Sequence, residues 1–284
     1  MGPPATYRGV EMTPDGRLLL VHREEVAGGD IWAYDLERGT QTRLTFDRGG
    51  HSASPVLLPG GRRMLFVKIQ SRTLYEKDVT GVGAERLVYK SPGPPIQPWT
   101  VTPDGATAIV SIGELRDSHL AAVPLAGGEP RPLAKRPGSQ IQAQISPDGR
   151  WIAYTSSESG SQDVFIESFP AGDTRYQVSS GGGRVPRWRA DARELFYVAV
   201  VSGRTAMMSA GVDVQGQALR LGIPKMLFNA ALPNTQHVMP VLAYAVTGDG
   251  ARFMMVRRPE SQLNGSSTTP ITVVMNWPHV FAAK

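Results

Sequence analysis

Cysteine is absent from this 284-residue chain, which excludes disulfides, thiolate metal sites and thiol catalysis. Aromatic residues are sparse, at 7%. No apolar run approaches the ~20 residues that a membrane helix needs. The start, Met1-Gly2-Pro3-Pro4, lacks the charged and then apolar pattern of a secretory leader, so neither a leader nor membrane insertion by this chain is expected. Helix signals are poor, because 23 prolines and 31 glycines interrupt the chain every few residues. The basic surplus of +5 is not gathered in one place: its densest runs are Arg62-Arg63, Lys135-Arg136, the Arg184, Arg187 and Arg189 group, and Arg257-Arg258. A nucleic-acid binder concentrates its basic residues, so a mixed solvated surface and no nucleic-acid partner are expected.

What the chain does have is a repeat. One short phrase recurs as Thr13-Pro14-Asp15-Gly16, Leu58-Pro59-Gly60-Gly61, Thr102-Pro103-Asp104-Gly105, Ser146-Pro147-Asp148-Gly149, a degraded Arg189-Ala190-Asp191-Ala192, and Thr247-Gly248-Asp249-Gly250. Its third positions, 15, 60, 104, 148, 191 and 249, are separated by steps of 45, 44, 44, 43 and 58. A period in the low forties, with a turn signal and several short apolar strands in each repeat, is the mark of a β-propeller. The expected fold is all-β: a six-bladed β-propeller of four-stranded antiparallel blades, one domain over 1–284. Its blades fall near 5–46, 51–90, 96–135, 140–179, 184–228 and 238–278.

The clearest repeat sets the frame. Ile141 to Ile145 reads as an inner strand and Ser146 to Gly149 as a tight turn. Trp151 to Ser156 is a largely buried second strand, Asp163 to Phe169 an alternating third, and Arg175 to Val178 a short polar outer strand. By the same frame, a poorly defined outer strand is expected within Leu221–Phe228. The long step places about fourteen extra residues between Val212 and Pro240, and Leu263 to Thr269 adds a polar loop. The last blade reaches its third strand near Thr272–Trp277 with little chain to follow, so it is expected to be incomplete. An exposed edge there would offer pairing with a second chain, as in a dimer.

Several segments carry a family resemblance. They are Gln144 to Ser156, Asp30-Ile31-Trp32, Thr42-Arg43-Leu44-Thr45-Phe46, Pro186-Arg187-Trp188-Arg189 with Glu194-Leu195-Phe196-Tyr197, and the ending Pro270 to Trp277. Together they resemble the TolB-type, WD-repeat-like propeller at the C-terminus of bacterial receptor-like serine/threonine kinases. The resemblance implies a six-bladed, extracytoplasmic (periplasmic) ring joined through a membrane helix to a kinase. None of the kinase motifs is in this chain: it has no Gly-rich loop with a following strand lysine, no His-Arg-Asp and no Asp-Phe-Gly.

Two function classes follow. The first is a non-catalytic module, a sensor or scaffold binding a protein, peptide or small polar ligand at the channel face. Gln142, Gln144, Arg184 and Arg187 would donate hydrogen bonds there to an anionic or polyhydroxylated ligand, with Trp99 beside them. The second is a glycosidase, lactonase or esterase with Glu11 and His51 or His237 in the channel. Glu11 is the one carboxylate shortly before any turn phrase, and a glycosidase needs two; Asp47 or Asp117 would have to supply the second. The histidines are His22, His51, His119, His237 and His279, and no two have helix-type metal spacing. No cofactor is expected, and a divalent metal in the channel has no motif behind it. Gly-x-Ser-x-Gly is absent. Gly181-Gly182-Gly183 precedes no helix and is not a phosphate cradle.

Overall fold

The computed structural model describes residues 6–25, 28–47, 50–114, 116–133, 136–230, 244–256 and 271–275. They form six antiparallel sheets. The first holds β1 (Thr6–Met12), β2 (Leu18–Glu25), β3 (Gly28–Asp35) and β4 (Thr40–Arg43). The second holds β5 (Ser52–Leu57), β6 (Arg63–Lys68), β7 (Thr73–Asp78) and β8 (Arg86–Lys90). The third comprises β9 (Ile96–Val101), β10 (Thr107–Glu114), β11 (Asp117–Pro124) and β12 (Arg131–Pro132). In the fourth are β13 (Gln140–Ile145), β14 (Trp151–Ser156), β15 (Asp163–Ser168) and β16 (Arg175–Gln177). The fifth has β17 (Arg184–Trp188), β18 (Glu194–Val201), β19 (Arg204–Gln215), β20 (Ala218–Leu221) and β21 (Lys225–Asn229). The last has β22 (Tyr244–Val246), β23 (Arg252–Val256) and β24 (Ile271–Met275).

Five of these sheets, not six, are complete blades, four of them four-stranded and the fifth with an added strand; the last has three strands among the described residues. The tail after the third strand, the 263–269 loop and the Asn276-Trp277 ending lie outside the described residues. The expected outer strand at Leu221–Phe228 is corrected to two strands. β19 is twelve residues long; β21 pairs with its first half, while β20 pairs with the extension Val212–Gln215. That projecting hairpin takes up part of the long step.

The repeated phrase is a β1–β2 type turn with its own bonding code. In the first sheet Thr13 Oγ1 donates to Asp15 Oδ1 at 2.5 Å, and the Arg17 amide donates to the same oxygen at 3.0 Å. The Leu18 amide then donates to Thr13 Oγ1, and Gly16 takes the left-handed φ of 72° that closes the turn. The same pattern recurs at Thr102/Asp104, Ser146/Asp148 and Thr247/Asp249. These aspartates are turn residues.

The chain divides into two compact units, Met1–Pro92 with Ala231–Lys284, and Gly93–Ala230. In the first unit, Tyr7, Val10, Leu19 and Val21 of the first sheet pack with Ala245, Met254 and Val256 of the last. The opposite face, with Leu20, Ile31 and Ala33, packs against Met64 and Phe66 of the second sheet. In the other unit, Trp151, Ala153, Val164 and Ile166 meet Trp188, Leu195, Tyr197 and Ala210 of the next sheet. Each large side chain so buried stabilises the fold by about 1.5–3 kcal/mol. A sheet greasy on both faces therefore depends on its neighbours.

Candidate functional site

In the unit formed by Gly93–Ala230, β13 packs between β9 and β17. Both β13 and β17 carry a bulge, with register shifts between Ile141 and Gln144 and between Arg184 and Arg187. Gln142 and Val185 sit there at φ of 58° and 56°. For a β-branched valine this is an outlier, costing on the order of 1–3 kcal/mol unless its surroundings hold it. The Gln142 side chain does the holding. Its Oε1 accepts from the Val185 amide at 3.1 Å and from Thr155 Oγ1 at 2.9 Å, and the Val185 amide also reaches Thr155 Oγ1 at 3.2 Å. A residue of one sheet thus pins the bulge of the next. Bulges re-aim side chains, and the residues re-aimed here are Arg184 and Arg187.

Arg184 is 9% exposed and Arg187 4%. Among the described residues no carboxylate or other acceptor meets the Arg184 guanidinium, and burial alone pulls its pKa below the ordinary arginine value. Gln144, half-buried one strand away, accepts a hydrogen bond from Trp188 Nε1 on its carbonyl at 3.2 Å. Gln142, Gln144, Arg184 and Arg187 therefore share two adjacent strands. Trp99 does not join them. It is fully buried, and its Nε1 donates to Ser111 Oγ at 2.9 Å. A sealed indole has no face to offer a ligand, so the expectation for Trp99 is corrected: it is a core residue.

Glu11 and His51 belong to the other unit. Glu11 pairs with Leu20 across the β1–β2 ladder and stands four positions before Asp15. His51 precedes β5 and stands nine positions before Gly60. The two differ by five positions along equivalent strands, about 16 Å at the usual rise. His237 and His279 lie outside the described residues.

His51 has a different neighbour. It bridges to Gly29, its amide donates to Gln70 Oε1 at 2.9 Å, and its ring meets His22 edge-on with centroids 6.3 Å apart. His22 is 5% exposed, its Nε2 has no hydrogen-bond partner, and burial pushes its pKa down to about 4. Among the described residues no group of three or more histidines and carboxylates is placed to hold a metal.

Other buried carboxylates are structural. Asp163 accepts from Ser159, Ser161 and Ser179 hydroxyls and from the Gly182 amide at 2.8–3.1 Å. Asp30 plays the same part for Thr45 and Arg43. Glu167 is closed in by Arg136 and Tyr154, and Glu76 by Arg63 and Arg86.

The sheets superpose on those of TolB from Acinetobacter baumannii with a TM-score of 0.68 at 14% identity, over 96% of this chain and 61% of that one. The fold is a TolB-like β-propeller. A putative TolB from Agrobacterium tumefaciens gives 0.62 at 18% identity, covering 80% of this chain and 83% of that one. An oligogalacturonate lyase in complex with manganese gives 0.63 at 18%, over 97% and 75%. At such identities the likeness is one of fold. This propeller spans about three fifths of the Acinetobacter TolB. No family model and no curated protein matches the chain.

Proposed function

We propose that this TolB-like propeller is a non-catalytic binding module for a small anionic or polyhydroxylated ligand, held by donors of β13 and β17. In this reading β22–β24 is an incomplete blade. The role is that of a sensor or scaffold, in keeping with the resemblance to extracytoplasmic propellers of receptor-like kinases. The observation that carries the proposal is Arg184. A buried guanidinium without an anionic partner among the described residues is costly, and a ligand carboxylate or phosphate would offset that cost. Gln144 and Arg187 stand beside it to orient further oxygens. The lyase that shares the fold is named for oligogalacturonate, a sugar chain with carboxylates and hydroxyls, which is the chemistry these donors suit. The second reading is a hydrolase with Glu11 and His51 in its site.

The test is calorimetric titration with acidic oligosaccharides, simple di- and tricarboxylates and their neutral counterparts. An Arg184→Met variant should lose acidic-ligand affinity by about 10–100-fold, the worth of one charge-assisted hydrogen bond. Unchanged affinity in a folded variant, or no binding of any anion by the native protein, would overturn the proposal.

A further inference from the structure

His22 and His51 form a second corner, independent of Arg184. His22 sits on β2, more than nine-tenths buried, with its Nε2 unpartnered. A buried nitrogen with no hydrogen bond is costly, so its retention needs a reason. The His22 ring meets His51 edge-on, and His51, which leads into β5, is half-buried.

Gly29 lies between the two rings. A Cβ at this position would collide with His22 Nε2 and stand 3.2 Å from His51 Nδ1. The Gly29 backbone is not in the left-handed region, so its geometry does not demand glycine. The missing side chain keeps the two ring nitrogens open to each other.

The charges around this corner are mostly neutralised. Arg8 pairs with Glu24, Arg43 with Asp30, and Lys68 with Glu85. Asp47 is different: its carboxylate is turned against the Gly50 backbone, one residue from His51, and it has no ion pair among the described residues. Its charge is felt by Lys68, and the carboxylates felt by His22 are Glu24 and Asp30. Imidazole nitrogens suit zinc, copper and nickel rather than magnesium or calcium.

We infer that His22 Nε2 and His51 Nδ1 are ligands of a borderline divalent cation, Zn²⁺, Ni²⁺ or Cu²⁺, with water completing its coordination. The nitrogen pair must close to the ~2.0–2.1 Å metal–nitrogen distances of such sites. The half-buried His51 ring is the one free to move. The two histidines come from different sheets, so the cation would clip the first sheet to the second.

The experiment uses the full chain stripped with EDTA. Zinc binding is followed by calorimetry, and the copper-loaded protein by electron paramagnetic resonance. The expected result is one equivalent of metal, with hyperfine structure from two imidazole nitrogens and a raised Tm with zinc but not magnesium. His51→Ala, at a half-buried position, should fold normally and lose more than about tenfold in affinity, since even an outer-shell partner is worth that much. His22→Gln should lose binding as well, but it may be read only if it folds; His51→Ala carries the test alone. His119→Ala should change nothing. Metal uptake that survives His51→Ala at unchanged affinity, a single-nitrogen spectrum, or no uptake by the native chain would overturn the inference.

Discussion

Replacing Arg184 with methionine should make the ligand-free protein more stable. Arg184 is a mostly buried residue, no carboxylate faces its guanidinium among the described residues, and burial alone lowers its pKa. An unpaired ion taken out of water costs several kcal/mol even after relaxation. The residual 9% exposure leaves some hydration, so a recovery of about 1–3 kcal/mol is the reasonable scale. Methionine keeps the length of the apolar stem, and its packing is retained. The sign follows from linkage. A folded pKa below the unfolded one means the charged form is disfavoured by folding. Arginine is charged in both states across the neutral range, so the cost is present throughout it. The gain on substitution should therefore be flat between about pH 5 and 9. Urea unfolding followed by tryptophan fluorescence reads this as a higher midpoint at unchanged m-value. Saturating ligand should reverse the order, because 100 Kd of ligand adds about 2.7 kcal/mol to the native protein. A variant that is less stable than the native protein by more than about 1 kcal/mol would mean that Arg184 already has its partner, and the reasoning fails.

Asp163→Ala should destabilise by roughly 2–4 kcal/mol, since it strands the Gly182 amide and three serine hydroxyls. Burial raises the Asp163 pKa, but these hydrogen bonds outweigh it and the net shift is downward. Its contribution is thus present above the unfolded carboxylate range and lost as pH falls through the lower folded value. An unfolding difference from the native protein that does not shrink in acid would contradict this. Gln142→Leu should cost about 1–3 kcal/mol by orphaning the Val185 amide and Thr155 hydroxyl, and should weaken acidic-ligand binding through the displaced bulge. Calorimetry and denaturation together check both halves.

The fold was legible because its turns obey a local code. Thr13, Asp15 and Gly16 bond to one another whatever surrounds them, so their spacing survives in the sequence, and strands such as Arg63–Lys68 and Trp151–Ser156 follow from it residue for residue. The long step was equally visible, but not its content, because hairpin register depends on which half of β19 each partner takes. The bulges left no trace. Their left-handed residues, Gly9, Ser54, Gln142 and Val185, each stand six positions before the third residue of a turn. They are a glycine, a serine, a glutamine and a valine, held by whichever neighbour is present, so no residue pattern marks them. Trp99 was misplaced for a related reason: alternation fixes which residues share a face but not which face is covered.

The repeat itself separates a structural arginine from a functional one. Seven positions before the third residue of a turn, the first sheet has Arg8 and the fifth has Arg184. Arg8 donates its Nε–H to Glu24 at 2.7 Å, and a third of its side chain is exposed. Arg184 is more deeply buried; Val198 stands opposite it as His22 stands opposite Arg8, and the position equivalent to Glu24 is Val200. The same site in the frame thus carries one cation that is neutralised within its sheet and another that is not. Packing alone would favour the reverse, with the carboxylate beside the more buried charge. A compensated position argues for stability and an uncompensated one for an absent anion. Introducing the missing carboxylate at the position equivalent to Glu24, as Val200→Glu, should therefore stabilise the protein and abolish acidic-ligand binding together. Calorimetry of that variant showing retained binding would break the link between the empty partner position and the ligand.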